Sequence, residues 1–180
     1  MRWMESETIE LKSVPVADIC KEIVAFANTK GGTLYIGVDD DGTAVGVDDI
    51  DRVVLQINNM VRDGIKPDVT MFVGYECQEV DAKRILAVTV QKGTDRPYYL
   101  GAKGLKPGGV YVRNGTSTDP ATDTAIRKMI KETDGDSFES MRSLEQQLSF
   151  HAAKTLFDKR DVPFDRLKMQ TLGLVSPDGM

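Results

Sequence analysis

The sequence predicts an α+β fold: a mixed, mainly antiparallel sheet packed with amphipathic helices, followed by a small helical C-terminal extension. Three observations predict it. Apolar residues recur at helical period in two stretches of the N-terminal third, short β-branched runs bounded by turn residues lie between and after them, and the chain changes character at a polar, glycine-containing segment near residue 135.

Between Pro15 and Thr29, the residues Ile19, Ile23, Phe26 and Ala27 fall on one face of a helix, which Gly31-Gly32 stops. Thr33 to Val38 is short, β-branched and aromatic, and reads as a buried strand. Asp39-Asp40-Asp41-Gly42 is a turn, with a second short strand expected at Ala44 to Val47. Asp48 or Asp49 is then placed to cap a helix whose stripe is Ile50, Val53, Val54, Ile57, Met60 and Val61, ended by Gly64 and Pro67.

Val69 to Cys77 and Ile85 to Gln91 are expected to be neighbouring antiparallel strands. Pro97 to Leu100 and Val110 to Arg113 are expected as strands flanking the glycine-rich loop Gly101 to Gly109. Asn114 to Thr118 should lead by a turn into a helix from about Pro120 to Glu132, with Thr118 or Asp119 at its N-cap. The predicted organisation is an α/β domain over residues 1–135 and a helical extension or linker over 136–180. In the extension, Ser149 is expected to cap one helix and Phe164 to Leu172 to form another. The closing turn at Ser176 to Met180 is expected to lead toward a further C-terminal region.

With 180 residues, 41% of them hydrophobic, the chain can bury one good core. No apolar run is long enough to span a membrane, and the N-terminus lacks the pattern of a secretory signal. Cys20 and Cys77 have no metal-ligand spacing, so both are expected to be inert packing residues in a reduced, cytoplasmic protein. His151 has no acid or cysteine at useful spacing and is read as an ordinary helix residue.

A net charge of −5 argues against a wholly basic nucleic-acid binder, but the charge is uneven. Residues 1–60 hold eleven acids against five bases, whereas Lys83, Arg84, Lys92, Arg96, Lys103, Lys106 and Arg113 face the single acid Asp95 in the stretch they span. Such a stretch can hold a phosphate backbone; the plainer alternative is that its basic loops balance the acidic N-terminal half.

Four stretches carry a resemblance: Glu5-x4-Glu10-Leu11-Lys12, Ala25 to Gly32 (AFANTKGG), Leu34 to Asp40 (LYIGVDD) and Tyr111 to Thr118 (YVRNGTST). In this order and spacing they resemble the Schlafen AlbA-like domain of bacterial transcriptional regulators and of the Schlafen core. The resemblance implies association with DNA or RNA. It also implies, if the chain is a nuclease, that Glu5, Glu10 and Asp40 hold Mg2+ or Mn2+ and cleave structured RNA. Glu5 and Glu10 would face opposite sides of an extended segment, so a shared site requires a bend between them. The local alternative makes Glu10 a partner for Lys12 or for a distant base, and Asp40 a turn residue.

The bases Lys12, Lys92, Arg96, Lys103, Lys106 and Arg113, with the hydroxyls of Thr116 and Ser117, are the candidate contacts for nucleic acid. Binding of this kind requires no cofactor. Asn28 to Gly32 lacks the spacing of a phosphate loop and is read as a helix C-cap. Trp3 is read as a hydrophobic anchor or an oligomer contact. A non-catalytic DNA- or RNA-binding domain of a transcriptional regulator is the preferred reading, with a metal-dependent endoribonuclease and a dimerisation or protein-interaction module as alternatives. A homo-oligomer such as a dimer is expected, and no membrane partner.

Overall fold

The computed structural model describes residues 3–15, 18–133, 149–172 and 174–175. The chain divides into two units, Met1–Asp134 and Gly135–Met180. In the first unit, β1 (Ile9–Lys12), α1 (Ile19–Asn28), β2 (Gly32–Ile36), α2 (Ile50–Gly64), β3 (Ile65–Lys66), β4 (Val73–Val80) and β5 (Lys83–Val90) are followed by β6 (Tyr99–Leu100), β7 (Tyr111–Asn114), β8 (Ser117–Pro120) and α3 (Asp123–Thr133).

The main sheet runs β1-β2-β5-β4, with β1 parallel to β2 and the other pairs antiparallel. Strand alternation feeds two cores. Leu34, Ile36, Leu86, Val88 and Val90 join α1 and α2 in the larger cluster, while Leu11, Val38 and Ile85 form a smaller one with Trp3 and Tyr35 packed against it. Trp3 is thus an anchor, its ring 5.6 Å from that of Tyr35. The fold is the α+β arrangement that the periodicities predict.

Helix α1 is the centre of the unit. Nine of its ten residues are buried, because it touches α2 and β5 on one side and β6, β7 and β8 on the other. Its end is a C-cap as expected, with the Gly31 N–H donating to Phe26 O at 3.0 Å. A C-cap asparagine would be expected to bond the neighbouring backbone, but Asn28 reaches later segments instead. Its side chain donates to Tyr98 O and Tyr111 O at 2.9 Å each and accepts from Tyr98 N–H at 2.8 Å, stitching α1 to both later segments. Asp49 caps α2, accepting from Arg52 N–H at 3.0 Å.

Several local expectations are corrected. Ala44 makes a lone bridge to Val38 in place of a second strand. A single 3-10 turn occupies Thr70–Phe72, so β4 begins at Val73, and Cys77 is exposed on it. Cys20 is buried, as expected, and burial raises its thiol above the ordinary value.

The largest correction concerns Asn114 to Pro120. This segment is a β-hairpin, with Asn114 paired to Ser117 and Arg113 to Thr118. Gly115 takes φ +62°, which a two-residue turn with glycine first requires. Helix α3 therefore starts at Asp123, and the Thr122 hydroxyl accepts from Ala125 N–H at 3.1 Å in the capping position. Val110, Ala121, Ile126 and Met129 seal α3 against the hairpin.

In the second unit, α4 (His151–Asp158) and α5 (Arg166–Thr171) bury no residue. Phe157 and Phe164 pack with their rings tilted at 47° and centroids 4.9 Å apart. Phe150, and not Ser149, occupies the α4 N-cap position. No described helix is long and apolar enough to cross a membrane.

Candidate functional site

On β1, Glu10 and Lys12 share the parity of neither Ile9 nor Leu11, so both side chains leave the sheet on the α1 side. On α1, Glu22 lies between Ile19 and Phe26 at helical spacing, within the apolar stripe. On β7, Tyr111 and Arg113 alternate with Val112, so both point toward α1 while Val112 packs against α3. These three parities bring two bases and two carboxylates to one buried point.

Arg113 is the hub. Its side chain is 0% exposed. Nη1 donates to Glu10 Oε2 at 2.9 Å, Glu22 Oε2 at 3.2 Å and Thr118 Oγ1 at 3.0 Å, and Nη2 donates to Ser6 O at 2.8 Å. Its guanidinium also lies over the Phe26 ring, 5.0 Å from the centroid. The Thr118 hydroxyl donates in turn to Glu22. Lys12 Nζ meets the other Glu10 oxygen at 2.5 Å.

The electrostatics follow from burial. Desolvation pushes the Glu22 carboxyl above the usual carboxylate range; the Glu10 charge adds to this, and the Thr118 bond, Lys12 and Arg113 only partly offset it. Desolvation pulls Lys12 the other way, but the bond to Glu10 and the charges of Glu10, Glu22 and Glu5 outweigh it and hold the ammonium above its ordinary value.

A turn does lie between Glu5 and Glu10. Ser6 and Ile9 exchange backbone hydrogen bonds at 3.0 and 3.4 Å, and Glu5 folds back to accept from Leu11 N–H at 3.4 Å. Asp40 is not gathered in; it is exposed in the turn before Gly42. Both Glu10 oxygens are committed to Arg113 and Lys12. Among the described residues no three His, Cys, Asp or Glu side chains are placed to hold a metal ion. As arranged, Glu5, Glu10 and Asp40 do not fit a shared divalent cation.

The candidate nucleic-acid contacts separate in the same way. Arg113, expected to face phosphate, is internal, because its alternation places it against α1. Arg96 is also engaged, donating to Asn28 O at 3.3 Å and to Glu132 at 3.0 Å. Lys12 is the partly exposed rim of the charge cluster. Thr116 and Ser117 are exposed on the hairpin tip, not at a helix N-terminus.

Lys92, Lys103 and Lys106 face solvent. Lys103 and Lys106 sit on a loop fixed by its own backbone: Lys103 and Gly104 N–H both donate to Leu100 O at 2.9 Å, and Gly109 N–H donates to Lys106 O at 2.9 Å. A Cβ on residue 109 would fall 2.0 Å from Gly104 O, so glycine alone permits this closure. Lys103 Nζ donates to the Tyr111 hydroxyl at 3.0 Å, which donates to Gly108 O at 2.9 Å.

Comparison with known proteins agrees with this architecture. The family model described as Schlafen, AlbA_2 matches residues 5–122, which include β1, the charge cluster and the hairpin. The chain belongs to the Schlafen AlbA_2 family. Among solved structures, this AlbA_2 chain is similar to the N-terminal domain of a RecG-related protein from Nitrosomonas europaea, at 32% identity over 63% of this chain and 82% of that one, with a TM-score of 0.49. It is also similar in fold to the DIP2311 protein from Corynebacterium diphtheriae, at 16% identity and a TM-score of 0.53, covering 96% of this chain and 33% of that one. No curated protein matches the chain.

Glu22 is the member of the AlbA_2 charge cluster that the sequence reading missed. Its signal was present as an acid inside the apolar stripe of α1, a position that demands a buried partner.

Proposed function

We propose that this AlbA_2 domain is a non-catalytic nucleic-acid-binding module that holds the phosphate backbone of DNA or RNA and serves a transcriptional regulator. The observation that carries the reading is the loop Gly101 to Gly109. Its lysines are exposed on a backbone already ordered by hydrogen bonds, so they meet a phosphate without first ordering the loop. Family membership supports the same class of partner.

The carboxylates have a structural role in this reading. Glu10 and Glu22 neutralise a buried arginine, and freeing Glu10 for a metal would strand that charge. Titrating labelled DNA and RNA oligonucleotides at increasing salt tests the proposal. Binding should weaken linearly in a log–log plot as counterions are released. Absence of binding to both polymers at low ionic strength would sink it. Metal-dependent RNA cleavage lost in Asp40→Ala would favour the endoribonuclease instead.

A further inference from the structure

We infer that the phosphate-binding site is a patch built by three separate segments, with Lys21 of α1 and Lys66 of β3 joining Lys103 and Lys106 of the loop. This rests on the nucleic-acid-binding reading above and assigns it a location. Neither Lys21 nor Lys66 belongs to the basic stretch of the sequence.

The fold brings them there in two ways. Lys21 Nζ lies 5.9 Å from the Tyr111 ring centroid and Lys103 Nζ 5.6 Å from the same centroid, so one aromatic ring collects a lysine from α1 and one from the loop. On the other side, β3 pairs with β6 through Lys66 and Tyr99, and Gly101 N–H donates to Gly64 O at 2.8 Å. A Cβ at residue 101 would stand 3.5 Å from Lys66 Cγ, so the lysine stem runs along the start of the loop. Lys66 is exposed, and the Lys21 side chain is 31% exposed.

The local charge differs in sign from that of the whole chain. Lys21, Arg62, Lys66, Lys103 and Lys106 stand against Asp18, Glu22, Asp63 and Asp68, five bases to four acids in a protein of net charge −5, and Glu22 is buried while the bases reach solvent. Asp18 bonds Lys21 at 3.0 Å but is itself 67% exposed, so a phosphate can replace it at small cost. Lys83 and Arg84, by contrast, open β5, and Lys92 follows its other end. Eight residues of extended chain place these two groups roughly 25–30 Å apart at about 3.3 Å per residue. Lys83 and Arg84 are also turned to the Ala44 and Asp48 carbonyls. The basic run in the sequence therefore does not form one basic face.

The test is fluorescence anisotropy of the full chain with a labelled oligonucleotide across a salt series, comparing wild type with Lys21→Gln, Lys66→Gln and Lys83→Gln. All three side chains are at least partly exposed, and circular dichroism verifies that each variant folds. Loss of Lys21 or Lys66 should lower the magnitude of the salt slope by about 0.7–0.9, one phosphate contact, and weaken binding by a similar factor on unrelated sequences. Lys83→Gln should leave both unchanged. If wild type binds but Lys21→Gln and Lys66→Gln bind as it does, this location is overturned while the binding function stands. If wild type binds no nucleic acid, the function falls and the site with it.

Discussion

Lys103 and Arg113 come from the same basic stretch and both lie near Tyr111, yet one is exposed on a loop and the other has a side chain with no solvent contact. The difference is strand parity and surroundings. Arg113 alternates inward on β7, where Glu10, Glu22, Thr118 and the Ser6 carbonyl hold it. Lys103 projects from a loop with Tyr111 as its support. A positive charge can thus be a fixture of the fold or an instrument of binding, and the partners decide which.

Breaking the fixture should give the largest effect. Arg113→Met leaves Glu10 and Glu22 buried beside an uncharged chain, and stability measured by urea denaturation should fall by about 3–5 kcal/mol. Lys103→Ala should stay within about 0.5 kcal/mol of wild type in the same assay, and lose affinity for nucleic acid instead. Equal stabilities for the two variants would remove the distinction.

Asn28→Ala comes next. It removes three buried hydrogen bonds and leaves two carbonyls and an amide unpaired, for an expected loss of roughly 2–4 kcal/mol on the same denaturation curve. Asp49→Ala, which touches only the α2 cap, should cost about 1 kcal/mol.

The pH profile sharpens the account of the buried cluster. Glu22 has a folded value raised above the ordinary 4.5, so the native state holds its proton more tightly than the unfolded chain does. Its contribution is therefore fully present below about that value and lost as pH rises through the higher folded value. Glu22→Gln should flatten this limb in pH-dependent denaturation. Lys12 acts at the alkaline end: its contribution is present below 10.5 and lost as pH climbs through its raised folded value. The smallest effect is expected from metal. Adding Mn2+ should not shift the melting temperature of wild type beyond that of Glu10→Gln, because the Glu10 oxygens are already occupied.

Much of the fold was legible because it depends on local periodicity. The stripe of α2 and its Asp49 cap, the strand β2, expected over Thr33 to Val38 and found at Gly32–Ile36, and the β4–β5 pairing are each fixed by residues a few positions apart. At Asn114 to Thr118 the residues Asn, Gly and Thr suit both a strand-to-helix turn and a tight hairpin, and only the strand pairing at Ser117 to Pro120 selects the hairpin. The Glu10–Lys12 pairing was also readable, since residues two apart on a strand share a face.

By itself the sequence determined the α+β class, the principal helices and strands and the uneven charge, because each is a property of neighbouring residues or of composition. Tertiary structure alone decided that Glu22 would meet Arg113, that Asn28 would bridge Tyr98 and Tyr111, and that Lys21 and Lys66 would stand around the loop with Lys103. Those meetings join positions up to about a hundred residues apart, and no local pattern records the partner. The desolvation of each charge, and with it the choice between fixture and contact, exists only once the chain has packed.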